Sequence, residues 1–287
     1  GLEQYMQHLL KYPPSGDSAN NVLGEKKIAF VPTMGALHQG HISLVKEAKS
    51  LADEVVMSIF VNPTQFESVE DLAKYPRTLN ADIQLAESAG VDFLWTPDVS
   101  EIYPDKYKLI DAGELGRIYE GHSRAGHFDG VLTVVNRLFE IVKPDYAIFG
   151  EKDFQQLFLI KEFSKRVHPG IEIISGKTIR EDSGLALSSR NVRLSPEEKN
   201  SALVISRALE IGRKEQSYAE IKSSVLAELA TEIDFKLDYF AIVNPKSLLE
   251  VDQSHTGPVQ LLLAGWVGSV RLIDNFAAVI GPEGRGN

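Results

Sequence analysis

The sequence predicts an α/β protein, with a parallel-sheet domain over residues 1–180 followed by a smaller α+β domain over 181–287. Three observations predict it. Short apolar runs closed by Pro or Gly alternate with stretches of helical spacing as far as Ile179, the pattern of βαβ units. Beyond Ile179 the order changes to two helical stretches and then three strand-like runs, which reads as a separate layer. The chain is also 287 residues long, ample for two domains.

Along the chain, Pro13 to Gly24 is rich in Pro, Ser, Asn and Gly and reads as a loop. Ile28-Ala29-Phe30-Val31, ended by Pro32, reads as a buried strand, and helical spacing follows from Gly40 to Leu51. Val55 to Val61 is a second buried strand, stopped by Asn62-Pro63. Asn80 to Ala89 is helical and ends at Gly90, before a strand from Val91 to Trp95. A helix from Gly130 to Val142, a strand from Ala147 to Phe149, a helix from Asp153 to Val167 and a strand from Ile171 to Ile174 complete the alternation. The second part reads as helices at Pro196 to Lys214 and Tyr218 to Glu232, then strands at Leu237 to Val243, Val259 to Leu263 and Val270 to Ile273. The tail from Gly281 is turn-rich and expected to be loose.

Composition narrows the function classes. Hydrophobic residues make up 43% and charged residues 24%, as in ordinary globular proteins. With no cysteine there is neither a disulfide nor thiolate chemistry. The net charge of −10 argues against a nucleic-acid partner. No run is long and apolar enough to span a membrane, and no basic segment leads into an apolar stretch as in a signal peptide. A cytoplasmic location is the resulting expectation.

Polar residues gather at the carboxyl ends of the expected strands, where open parallel sheets bind ligands. The first strand runs into Pro32-Thr33-Met34-Gly35 and then His38-Gln39-Gly40-His41. Glycines there let backbone approach a ligand, and the helix that follows offers free N–H groups that suit phosphate. If the turn is already helical, His38 and His41 share one face, and both can donate to phosphate oxygens. Such a turn is equally compatible with a plain connection, and His-x-x-His is also a zinc spacing, although no nearby Cys, Asp or Glu completes a ligand set. The second strand runs into Asn62-Pro63-Thr64-Gln65, which also reads as a capped turn. A later strand runs into Gly150-Glu151-Lys152-Asp153, with Gln156 one turn onward; a solvated face is the alternative. Finally, Arg180 to Asn191 contains Leu187-Ser188-Ser189-Arg190. It suits either a phosphate clamp of hydroxyls and a guanidinium or an interdomain linker.

Six runs in this order resemble the pantothenate synthetase family. They are Pro32 to His41, Phe60 to Phe66, Tyr75-Pro76-Arg77-Thr78, Gly126 to Val135, Phe149 to Gln156 and Leu187 to Asn191. The resemblance implies a Rossmann-like catalytic domain and a carboxyl-terminal lid domain. It further implies a homodimer, magnesium dependence, and ATP, pantoate and β-alanine as substrates. The implied reaction has two steps: pantoate attacks the ATP α-phosphorus to give pantoyl adenylate, and β-alanine then displaces AMP. By the same resemblance His41, His38, Lys152 and Arg190 are catalytic. Thr33, Met34, Gly35, Gly40, Gly150, Asp153, Ile179, Leu187, Ser188 and Ser189 join them around ATP. Gln65, Gln156 and Met34 would bind pantoate, and Gln65, Asn62 and His127 β-alanine. Asp82 stands where the family has an acidic residue linked to magnesium, but its acidic neighbour is Ala81 here, so no metal ligand is assigned. Gln39 replaces an acidic residue, and the chain through Gly24 departs from the family's opening strand. An adenylyltransferase of the same superfamily shares the histidine turn and the Ser-Ser-Arg loop, but needs neither the glutamine pair nor Gly126 to Gly130. A non-catalytic nucleotide-binding protein would not need His41, Lys152 and Arg190 together.

Overall fold

The structure, a computed structural model, describes residues 26–66, 68–104 and 107–281. The loop expected over 13–24 and the tail beyond Gly281 lie outside them. Five strands form one parallel sheet of order β3-β2-β1-β4-β5. They are β1 (Ile28–Thr33), β2 (Glu54–Ile59), β3 (Phe93–Trp95), β4 (Tyr146–Gly150) and β5 (Glu172–Gly176).

These strands read as continuous apolar runs because both faces are covered. Alternate side chains of β1 serve opposite layers. Phe30, with Val56 and Ala147 beside it, packs on Val135, Leu138 and Ile160 of helices His127–Val142 and Phe154–Val167. Ala29 and Val31 face Leu44, Val45 and Ala48 of helix Gln39–Leu51 and Ala86 of helix Leu79–Ser88. Strand order reverses between β1 and β4, so their carboxyl ends diverge and open a crevice.

A second, antiparallel sheet has the order β6-β7-β8, with β6 (Phe235–Val243), β7 (Gly257–Val267) and β8 (Val270–Ile280). Helices Pro196–Gly212 and Tyr218–Leu229 cover one face through Ile205, Leu209, Ile221 and Val225. The first of them starts in a capping box of Ser195 and Glu198 with Pro196 in its opening turn. The opposite face, through Ala241, Val243 and Leu262, packs on Leu115, Tyr119, Phe154 and Phe158 of the first layer. At this seam Arg271 forks onto both carboxylate oxygens of buried Glu120 at 2.7 and 2.9 Å, while Tyr239 Oη donates to Glu120 at 3.1 Å.

Each expected strand and long helix has a counterpart. The differences have physical causes. Helices Val69–Lys74, Val99–Ile102 and Glu120–Ser123 are too short to show a period. The helix expected from Gly130 begins at His127, because the break is Gly126 at φ +77° and Gly130 lies inside the first turn. β7 and β8 each run 11 residues, past the expected apolar runs; β7 continues through Ala264 and Gly265, which carry little strand signal, and β8 through the polar pair Asp274-Asn275.

Candidate active site

The turn after β1 is held from below. Gly35 (φ +81°) and Ala36 (φ +49°) both take the left-handed conformation. Asp82, only 3% exposed, accepts the N–H groups of Ala36 at 3.0 Å and Leu37 at 2.8 Å, and the Thr78 hydroxyl at 3.1 Å. A Cβ on Gly35 would stand 3.0 Å from both Asp82 Oδ2 and Ile59 Cγ2, so glycine is required for space as well as for φ. Asp82 therefore stabilises the loop, with its oxygens engaged by the protein itself.

Above that loop, His38 and His41 form a reciprocal cap at the start of helix Gln39–Leu51. His38 Nδ1 accepts the Gly40 N–H at 3.1 Å, and His41 Nδ1 accepts the His38 N–H at 3.2 Å. A backbone N–H only donates, so both Nδ1 atoms are acceptors and each neutral ring carries its proton on Nε2. Burial pushes His38 down to about 4, helped by the Lys152 charge. Burial, and then His38 itself, pushes His41 down to about 3. Two uncharged donors with ring centroids 4.1 Å apart thus border one cavity of about 240 Å³.

The end of β2 supplies a chain of oriented amides. Asn62, 1% exposed, accepts the Thr64 N–H and hydroxyl and the Tyr103 hydroxyl, the last at 2.6 Å, all on Oδ1. Its Nδ2 must then donate, and it does, to Gln65 Oε1 at 2.8 Å and Gly130 O at 3.2 Å. Gln65 consequently offers its NH₂ group to the cavity. His127 lines the same wall with both nitrogens engaged: Arg124 donates to Nε2 at 3.1 Å, so Nδ1–H donates to Gln65 O at 2.9 Å. Burial, then the Arg124 charge, holds this ring well below its ordinary value.

From β4 the chain presents Gly150, Lys152, Asp153 and Gln156 to the cavity. Adjacent Gln155 turns away and is buried, bonding Leu115 O, Ile118 O and the Glu120 N–H. After β5, Ile179 and Leu187 close one side. Ser188 caps the short turn Ser189–Arg193 by accepting the Arg190 N–H at 3.2 Å, and Ser189 donates to Ala36 O at 3.2 Å. The serine loop is therefore seated directly on the histidine turn.

Of the residues expected at the site, Thr33, Met34, His38, Gly40, His41, Asn62, Gln65, His127, Gly150, Lys152, Asp153, Gln156, Ile179, Leu187, Ser188, Ser189 and Arg190 border this one cavity. Gly35 does not: it lies behind the wall, where its conformation turns the chain. Arg124, Tyr75 and Lys177 also border the cavity and were missed. Tyr75 and Arg124 stand in or beside quoted runs, but a single Tyr or Arg carries no period or spacing to mark it. Among the described residues no three His, Cys, Asp or Glu side chains gather as a metal cluster.

The family model described as pantoate-beta-alanine ligase matches residues 15–277. The chain belongs to this ligase family. It is 48% identical over 257 residues to the pantothenate synthetase of Shewanella denitrificans, covering 88% of this chain and 91% of that one. The pantothenate synthetase of Acetivibrio thermocellus is 46% identical over 254 residues, covering 86% and 90%. Among solved structures, the Thermus thermophilus pantothenate synthetase superposes with a TM-score of 0.83 at 43% identity, over 87% of this chain and 92% of that one. The Francisella tularensis pantoate-beta-alanine ligase, complexed with beta-gamma ATP and beta-alanine, gives 0.74 at 41% identity, over 89% and 91%. Pantoate–β-alanine ligases thus share this arrangement of a five-stranded parallel sheet beside a small antiparallel one.

Proposed function

We propose that this enzyme uses ATP to join pantoate to β-alanine, releasing AMP and pyrophosphate. The observation that carries the reading is one cavity at the sheet crevice, with phosphate-type donors on one wall and an oriented glutamine on another. The Francisella tularensis relative, solved with beta-gamma ATP and beta-alanine, supports it.

In the first step a pantoate carboxylate oxygen attacks the α-phosphorus. A P–O bond forms, the bond to the β-phosphate bridge breaks, and pyrophosphate leaves with its electron pair. His38 and His41 donate Nε2–H to the phosphates, while Lys152, Ser188, Ser189 and Arg190 hold the leaving end. Catalysis here is positioning and charge stabilisation. Thr33, Met34, Gly40, Gly150, Asp153, Ile179 and Leu187 enclose the nucleotide, with Asp153 suited to accept ribose hydroxyls. Gln65 and Gln156 read pantoate, Gln65 as a donor. In the second step the β-alanine nitrogen attacks the acyl carbon, the acyl C–O bond breaks, AMP departs with that electron pair, and the amine's proton passes to water. Asn62 and His127 serve this half by fixing the Gln65 segment and Arg124.

Magnesium fits as ATP's counter-ion. The Asp82 oxygens are engaged by Ala36, Leu37 and Thr78, so phosphates and water would supply most of its oxygen shell. When bound, the ion neutralises charge on the leaving pyrophosphate. A domain division at 180/181 fits the same reading, since β5 ends at Gly176 and Leu185 already packs in the second core. A homodimer and a cytoplasmic location complete it; no described helix is long and apolar enough to cross a membrane.

The test is pyrophosphate release from ATP and magnesium. Release should require pantoate, and adding β-alanine should yield AMP and pantothenate. Pantoate-independent release would mean a different acceptor.

A further inference from the structure

Two consecutive residues of β8 reach out of the small sheet to both segments that line the phosphate wall. Asn275 sits mid-strand opposite Leu262 and is buried. Its Nδ2 donates to Glu151 O at 2.9 Å and Lys152 O at 2.8 Å. Carbonyls only accept, so this amide has one possible orientation, and its Oδ1 takes the Gln260 Nε2–H from β7 at 2.6 Å. The turn that receives this clamp, Glu151–Asp153, has no side-chain cap of its own.

Asp274, also buried, does the equivalent for the other segment. Its oxygens take a fork from Arg180 at 2.6 and 2.8 Å, and Oδ1 accepts the Asn275 N–H at 2.8 Å. Arg180 further donates to Gly184 O at 3.1 Å and lies over the Phe276 ring. The Arg180–Ala186 bridge closes the small hairpin from which Leu187, Ser188, Ser189 and Arg190 emerge. The sheet's own ladder pairs Gln260 with Ala277 and Asn275 with Leu262, and an apolar pair at these positions would serve it as well. Instead Asn275, oriented by Gln260, reaches the Glu151 and Lys152 carbonyls of the first domain, and Asp274 holds Arg180 at the junction between the two.

We infer that Asp274 and Asn275 are positioning residues for adenylation, with one strand of the small sheet setting Lys152 and the Ser188–Arg190 loop relative to each other. The inference rests on the reading of those two segments as ATP phosphate ligands. Asn275 does not border the main cavity and acts through the Lys152 backbone.

The experiment is a kinetic cycle on the full-length enzyme, reading pantoate-dependent pyrophosphate release in wild type, Asn275→Leu, Lys152→Ala and the double variant. Asn275→Ser is run in parallel, because its short hydroxyl keeps the strand polar yet spans neither carbonyl. Asn275→Leu should lower kcat on the order of tenfold to a hundredfold, the scale of a small misplacement, and leave the pantoate KM within about twofold. In the Lys152→Ala background either Asn275 change should cost nothing more, because the group it positions is gone. Independent, multiplying losses would mean a general structural role and would overturn the inference alone. Full activity of Lys152→Ala would overturn the phosphate reading of Lys152, and the inference with it.

Discussion

At the scale of single residues, the site is set by which end of each polar side chain the backbone occupies. His38 and His41 have folded values of about 4 and about 3, below the ordinary 6.5. The neutral form is the one folding favours. The stability they contribute is complete above pH 6.5 and is lost as pH falls from 6.5 towards about 4 for His38 and about 3 for His41. A profile of kcat/KM for ATP, which reports the free enzyme, should therefore show no acid limb near 6.5. A limb there that is not the ionisation of the ATP terminal phosphate itself would mean that these rings titrate as if solvated. The amide chain makes a second prediction. Tyr103→Phe removes one donor from Asn62, loosening the amide that orients Gln65. A hydrogen bond of about 1 kcal/mol corresponds to a rise in pantoate KM of about fivefold, with the ATP KM unchanged. An equal rise in both would point to a general collapse of the cavity. Residue types and strand-end positions made most of this wall legible in the sequence. What was not legible is direction: Gln155 and Gln156 are adjacent and identical, and only the helical rotation sends one to Leu115 O and the other to the cavity.

At the scale of elements, the close contact between helix His127–Val142 and the Asn62–Gln65 turn is the most sensitive joint. A Cβ on Gly130 would stand 2.2 Å from Thr64 O, which backbone cannot yield without moving the turn. Gly130→Ala should destabilise the protein by about 1–3 kcal/mol and raise the pantoate KM, read by denaturant unfolding and steady-state kinetics. A neutral outcome would mean that the helix slides freely on the turn. The parallel strands were legible because both faces are buried and the sequence shows plain apolar runs. β8 was legible only to Ile273, since the next two residues are Asp274 and Asn275, polar positions inside a buried strand. Local pattern failed where the strand carries contacts to another layer.

Across the whole molecule, the contacts between the two sheets include an apolar patch, the Asn275 amide on the Glu151 and Lys152 carbonyls, and a buried ion pair of Arg271 with Glu120. Arg271 and Glu120 have side chains 12% and 8% exposed; Arg271 also pairs with Asp238 at 2.6 Å, so it is loss of Arg271 that strands a buried charge, the Glu120 carboxylate. Arg271→Ala should cost about 3–5 kcal/mol, with the unfolding of the two layers separating into distinct transitions. A single unshifted transition would show that the apolar patch suffices. That two layers exist was legible in the change of element order after Ile179. How they dock was not, because Arg271 and Glu120 are 151 residues apart and charge carries no period that sequence spacing reveals.

The reciprocal histidine cap has a further consequence. Each imidazole has one edge that belongs to folding and another that faces chemistry. Nδ1 closes the first turn of the helix, and on the proposed function Nε2–H is left to donate to a phosphate. The two duties are separable by substitution, because asparagine places an acceptor near the inner nitrogen while glutamine reaches towards the outer one. His41→Asn should start the helix normally and abolish adenylation, whereas His41→Gln should keep measurable turnover on a frayed helix end. In this protein the start of a helix is built from the same ring that the proposed reaction assigns to the phosphates, so neither can drift without the other.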